Sequence, residues 1–153
     1  MKTLKLTSKQ TAVITANIQS DKEIMKRINA NTYTSIEGFI DNATAYIQAI
    51  AERRMCNVIK SVSNSGMSRV LKFQSFEIYK ESKNQNGKGY FRNYYTLFKH
   101  LGYTETKTGF RVSGCGMDMI FNTNYNIIHK LHRLGFIDKS TCEKLAQFTP
   151  ITL

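Results

Sequence analysis

The chain has 153 residues, 41% of them hydrophobic, which suits one domain with a core of its own. It holds 22 Lys and Arg against 11 Asp and Glu, a net charge of +11 with a pI near 9.7. No run of apolar residues is long enough to span a bilayer, and three cysteines without C-x-x-C spacing argue against a zinc ribbon or a disulfide scaffold.

Residues 8–19 read as a first helix, with Ser8 as cap and Ala12, Val13, Ala16 and Ile18 as a weak apolar side. Ser20-Asp-Lys-Glu23 has capping-box spacing, so a second short helix should begin at Asp21 and end near Asn29–Asn31. Thr34-Ser-Ile-Glu37 repeats the box ahead of the clearest helix in the chain. There Ile36, Phe39, Ile40, Ala43, Tyr46, Ile47, Ile50 and Ala51 keep three/four spacing to about Met55. Residues 1–55 thus form a helical region, and residues 56–153 read as an α+β domain.

From Asn57 the period changes. Val58, Ile59 and Val62 read as a strand that turns at about Asn64–Met67 into a longer one, Val70–Tyr79. This places Arg69 just past the turn and Glu77 in strand alternation. Lys80–Lys88 is polar and glycine-bounded, an expected exposed loop or hairpin tip, and its Asn86-Gly-Lys-Gly89 is no Walker A sequence. Tyr90–Leu101 returns to helical spacing and stops at Gly102, and Tyr103–Thr108 is a polar turn into a Phe110–Val112 strand. Gly114 and Gly116 then break the extension. Met117, Ile120, Phe121, Tyr125, Ile128, Leu131 and Leu134 recur at helical spacing behind them, with Asp118 in the first turn and Gly135 at the end. Asp138 or Ser140 caps a last helix to about Phe148. The fold class is α+β: a helical amino-terminal part, then a small antiparallel sheet of about three strands packed on helices.

Little in the chain suggests chemistry. Five of the eleven acids lie before residue 56, and none of the rest forms an evident set for a metal or for acid–base work. His129 and His132 sit i, i+3 with no third ligand in view, and nothing pairs a base with Cys115 at the glycine-bounded helix start. We therefore expect no enzyme, no metal and no cofactor. Cys56, Cys115 and Cys142 read as small buried apolar residues.

Binding is better supported. Residues 56–112 carry 10 basic and 3 acidic side chains, a net +7 of the +11. Lys72, Lys83, Lys88, Arg92, Lys107 and Arg111 are the candidate partner-binding residues, interleaved with Tyr79, Tyr90, Tyr94, Tyr95 and Tyr103. Such a field attracts RNA, DNA or an acidic protein surface. Aromatic and arginine side chains suit base stacking and interface anchors alike.

Two stretches stand out as a pair, Ser65-Gly-Met-Ser-Arg69 and Gly114-Cys-Gly-Met-Asp-Met119. Gly66, Gly114 and Gly116 supply turns, while Arg69 and Asp118 suggest an internal contact between the stretches. The pair resembles one found in small proteins of phages and mobile elements, and the whole chain resembles the type II-A anti-CRISPR proteins, inhibitors of Cas9. The resemblance implies a stoichiometric inhibitor that binds Cas9 and blocks target cleavage, working as a monomer in the bacterial cytoplasm. With so basic a chain, the contact would be an acidic nuclease surface or the guide RNA. The alternative expectation is a small basic RNA- or DNA-binding phage accessory protein. The amino terminus lacks a signal-like apolar stretch, in keeping with a cytosolic location.

Overall fold

A computed structural model describes residues 4–30, 35–52, 54, 58–63, 68–84, 89–100, 103–113, 120–147 and 151–153. Among these the chain runs α1 (Ser8–Ser20), α2 (Lys22–Ala30), α3 (Ile36–Ala51), β1 (Ile59–Ser63), β2 (Ser68–Phe73), α4 (Phe76–Lys83), α5 (Gly89–His100), β3 (Thr104–Glu105), β4 (Gly109–Ser113), α6 (Ile120–Leu134) and α7 (Lys139–Ala146). This is an α+β fold with a helical amino-terminal part. None of the described helices is long and apolar enough to cross a membrane.

Side-chain caps start the helices, in places one residue from where spacing alone puts them. Thr7, not Ser8, caps α1 in a reciprocal box with Gln10. Asp21 accepts the Ile24 N–H at 3.0 Å, taking the part expected of Ser20. Ser35, not Thr34, accepts from Gly38 ahead of α3. Each satisfies an N–H that the first helical turn leaves without a partner. At the other end, Gly135 takes φ +104° after α6, a conformation that a side chain disfavours. Asn17 of α1 donates to the Leu134 carbonyl there at 2.8 Å, tying the first helix to the end of the sixth.

The sheet is antiparallel with order β1-β2-β4-β3. It has four strands rather than three, because Thr104–Glu105, expected as turn, pairs with Arg111 and Phe110. Residues 70–79, expected as one long strand, divide into a strand and a helix. β2 ends at Phe73, and Ser75 caps a new helix by accepting the Ile78 N–H at 3.1 Å. Glu77 therefore lies in a helical first turn, and Lys80 and Lys83 on a helix rather than on a loop.

Strand alternation divides the sheet. Ile59, Leu71, Phe73 and Phe110 are buried against the helices, while Lys60, Lys72 and Arg111 are exposed. Under the buried face α3 packs along α5, and α5 along α4. Tyr95 and Phe98 each set their rings 5.4 Å from that of Phe110. One buried cluster takes residues from Ile14 through Phe39, Leu71 and Ile128 to Leu145, so both the helical region and the sheet-bearing part contribute to it. Cys142 is buried in this cluster, as its apolar reading expects, with Sγ 3.6 Å from His129 Nδ1.

The first motif stretch ends on β2, where Ser68 pairs with Ser113 and Arg69 with Val112, the β4 residues that precede the second stretch in the chain. Gly66, Gly114, Gly116 and Asp118 lie outside the described residues, and with them the expected contact between Arg69 and Asp118.

Candidate anion-binding interface

The outward face of the sheet is basic by construction. Lys60 and Lys72 are Cα partners across β1 and β2, and Arg111 follows on β4, opposite Val70 and Thr104. All three basic side chains are exposed, whereas Val70 on the same face is buried. The four strands contain a single acid, Glu105, which pairs with Phe110 and so belongs to the inner side. Like charges directly opposite in a sheet cost stability, where an opposite pair would contribute about 0.2–1 kcal/mol. Neither Lys60 nor Lys72 makes an ion pair with a described residue, so nothing within the described chain offsets that repulsion.

Beside one end of this face lies an open groove of about 630 Å³, lined by Phe76, Tyr79, Lys80, Lys83, Glu105, Thr106 and Lys107. Its floor is organised by Glu105. The Tyr79 hydroxyl donates to Glu105 Oε2, and the Tyr95 hydroxyl donates to Oε1 at 2.9 Å. Lys83 Nζ stands 3.2 Å from Oε2 and Lys99 Nζ 4.0 Å from Oε1. Burial by itself would raise the Glu105 carboxyl. The hydrogen bonds from Tyr79, Tyr95 and Lys83 outweigh it and hold the carboxyl below its ordinary value. The Tyr79 phenol is pushed up, first by burial and then by the carboxylate it serves. Both oxygens of Glu105 are thus engaged, and its charge is matched by lysine. The hub fixes the groove and offers no spare acid or base.

Of the expected binding residues, Lys72 and Arg111 share the sheet face, and Lys83 and Lys107 line the adjoining groove. Lys83 is less a free cation than a partner of Glu105. Arg92 sits half-buried on α5, away from the groove lining, and Lys88 lies outside the described residues. Three residues escaped sequence reasoning. Lys60 was hidden because strand register, not spacing, sets it opposite Lys72. Phe76 falls where strand propensity predicts strand interior. Glu105 had one signal, being the lone acid between Glu81 and Asp118 in a lysine-rich stretch.

Known proteins offer no further guide. No family model, curated protein or solved structure matches this chain at a significant level. Among the described residues no three His, Cys, Asp or Glu gather as a metal site would require. What this surface can do chemically is bind: its exposed lysines and arginine are hydrogen-bond donors with positive charge, aimed outward from a rigid sheet.

Proposed function

We propose that the protein is a stoichiometric, non-enzymatic inhibitor that docks on guide-loaded Cas9 and blocks cleavage of target DNA. The observation that carries the reading is the acid-free outer sheet face, where Lys60 stands opposite Lys72. A repelling pair kept on a rigid surface makes sense when the partner supplies the missing negative charge. A Cas9 that holds its guide presents such charge as RNA phosphate. The resemblance of the whole chain to type II-A anti-CRISPR proteins supplies the identity of the partner. Cas9 must swing its target-strand nuclease domain into place before cutting, so a tightly held monomer at that step stops cleavage while DNA binding survives. On this reading the protein acts in the host cytoplasm and needs no cofactor.

The second reading, a small RNA- or DNA-binding phage accessory protein, draws on the same face and on the exposed Phe76 ring in the groove. One titration separates the two. Cleavage by a type II-A Cas9 should fall in proportion to added protein and level off near one equivalent. Size exclusion should then show a stable complex with guide-loaded Cas9. Unchanged cleavage, with the protein eluting apart from Cas9, overturns the inhibitor reading in favour of the second. Inhibition at small substoichiometric ratios that deepens with time would mean turnover instead.

A further inference from the structure

We propose that Phe76 is a stacking platform for one unpaired base, and that the groove beside it holds a short single-stranded segment of RNA. This deepens the reading above in one respect, naming which part of a guide-loaded nuclease the groove would meet. It stands first on exposure. The large apolar side chains exposed among the described residues are Val13, Phe76 and Leu153, and Phe76, 54% exposed, is the aromatic one.

The ring is held ready. Phe76 opens α4 directly after the Ser75 cap, and its ring stacks on Tyr79 at 6.3 Å and 27°. Tyr79 is itself fixed by Glu105 and lies within hydrogen-bond distance of the Thr106 carbonyl, at 3.2 Å. A surface already set in its bound form loses little freedom when a ligand arrives.

Lysines share the groove with the platform. Lys80 Nζ lies over the Phe76 ring, 5.0 Å from its centroid, so a base that stacks there displaces this ammonium towards its own phosphate. Lys80 shares only an exposed pair with Glu77 at 3.4 Å, the kind that contributes little and exchanges readily for another anion. Lys107 is exposed and lines the same groove. The track continues onto the sheet. The Phe73 N–H donates to the Thr108 carbonyl at 3.2 Å, and Lys72 pairs with Gly109, so the β3–β4 turn abuts the end of β2 that carries Lys72. Lys72 in turn faces Lys60.

A flat ring flanked by lysines is the chemistry of single-strand sites, in which the base stacks and the phosphates pair with cations. A duplex keeps its bases inside and offers Phe76 nothing to stack on. An acidic peptide would satisfy the lysines but leave the ring without a partner. Glu105 does not repel the strand, because lysine and tyrosine already hold both its oxygens.

The test is fluorescence anisotropy with labelled single-stranded RNA, the same strand annealed as a duplex, and DNA of the same sequence, each across a salt series. Phe76→Ala should weaken single-stranded RNA binding about 5- to 150-fold without changing the salt slope, and Phe76→Tyr should keep it. Lys107→Gln should lower the logarithmic slope by about 0.7, one phosphate contact on a single strand. Unaltered thermal melting of each variant shows that the fold is intact. Equal affinity for strand and duplex, indifference to Phe76→Ala, or tighter binding of the DNA strand overturns the assignment. Cas9 inhibition by the same variants keeps the two readings apart. If Phe76→Ala abolishes inhibition while the parent binds no RNA, Phe76 anchors a protein contact and the RNA assignment falls alone. If RNA binds as described and Cas9 cleaves undisturbed, the inhibitor reading falls alone.

Discussion

Lys60 and Lys72 face each other across β1 and β2 on the open side of the sheet, both exposed and neither paired with a described acid. Replacing one of them separates stability from binding. Lys60→Glu converts repulsion into attraction, so thermal melting should hold or rise, by about 0.2–1 kcal/mol in stability. Association with an anionic partner should slow, and its salt dependence should flatten, because rim charges act mainly on the rate of encounter. Surface plasmon resonance across salt concentrations measures both. A variant that melts earlier and binds as before would show that Lys60 serves the fold.

Glu105 joins α4, α5 and β3 through Tyr79, Tyr95 and Lys83, so its loss should be felt in stability. Glu105→Gln keeps the shape but removes the charge that Lys83 and Lys99 face. Hydrogen bonds to charged groups contribute about 1.5–3 kcal/mol, and urea unfolding should register a loss of that order. The folded carboxyl lies below its ordinary value. The stabilisation is therefore complete above the ordinary carboxyl pKa of about 4.3 and fades as pH falls through the lower folded value. A parent protein whose stability is level through that acid range would contradict the hub.

His100 sets a different pH window. It is fully buried at the end of α5, edge-on to Phe39 at 6.0 Å, and neither ring nitrogen has a hydrogen-bond partner among the described residues. Burial lowers its pKa from 6.5 to about 4. The fold thus keeps the imidazole neutral while the unfolded chain protonates it. Stability should be full above pH 6.5 and decline as pH falls from there towards 4, by at most about 1.4 kcal/mol per pH unit. His100→Leu should flatten this part of the curve in urea titrations, and an unchanged slope would place the pH dependence elsewhere.

Gly109 is required by space rather than by backbone twist. A Cβ built there would stand 1.8 Å from the Leu71 carbonyl oxygen, a main-chain atom of β2 that cannot swing aside. Gly109→Ala should therefore cost more than ordinary overpacking, about 1–3 kcal/mol, and loosen the β2–β4 pairing. Gly135→Ala makes the comparison. The nearest neighbours of its Cβ lie at 3.5–3.8 Å, so the variant should lose only the stability that left-handed strain costs, about 1–2 kcal/mol. Thermal melts that rank the two the other way would refute this account.

Local spacing and capping carried much of the fold. The apolar stripe from Ile36 to Ala51, the stop at Gly135 and the cap at Asp138 depend on residues within a turn or two of one another, and all three appear in the structure. The same holds for the excess of basic residues in the middle of the chain, which needs no fold to be counted. The stretch from Val70 to Tyr79 was different, because Val, Leu, Phe, Ile and Tyr suit a strand throughout and no period separates its halves. Its division came from the Ser75 cap together with the burial of Tyr79 against Glu105 and Tyr95. Glu105 meets Tyr79 across 26 positions and Tyr95 across 10, and Lys60 meets Lys72 only through strand register. A sequence ranks its neighbours along one dimension, whereas these contacts are chosen when the chain closes on itself to bury its rings. Lys72 and Arg111 were therefore legible one by one, while the place of Lys60 beside them and their gathering on a single face were decided by the packing of the sheet.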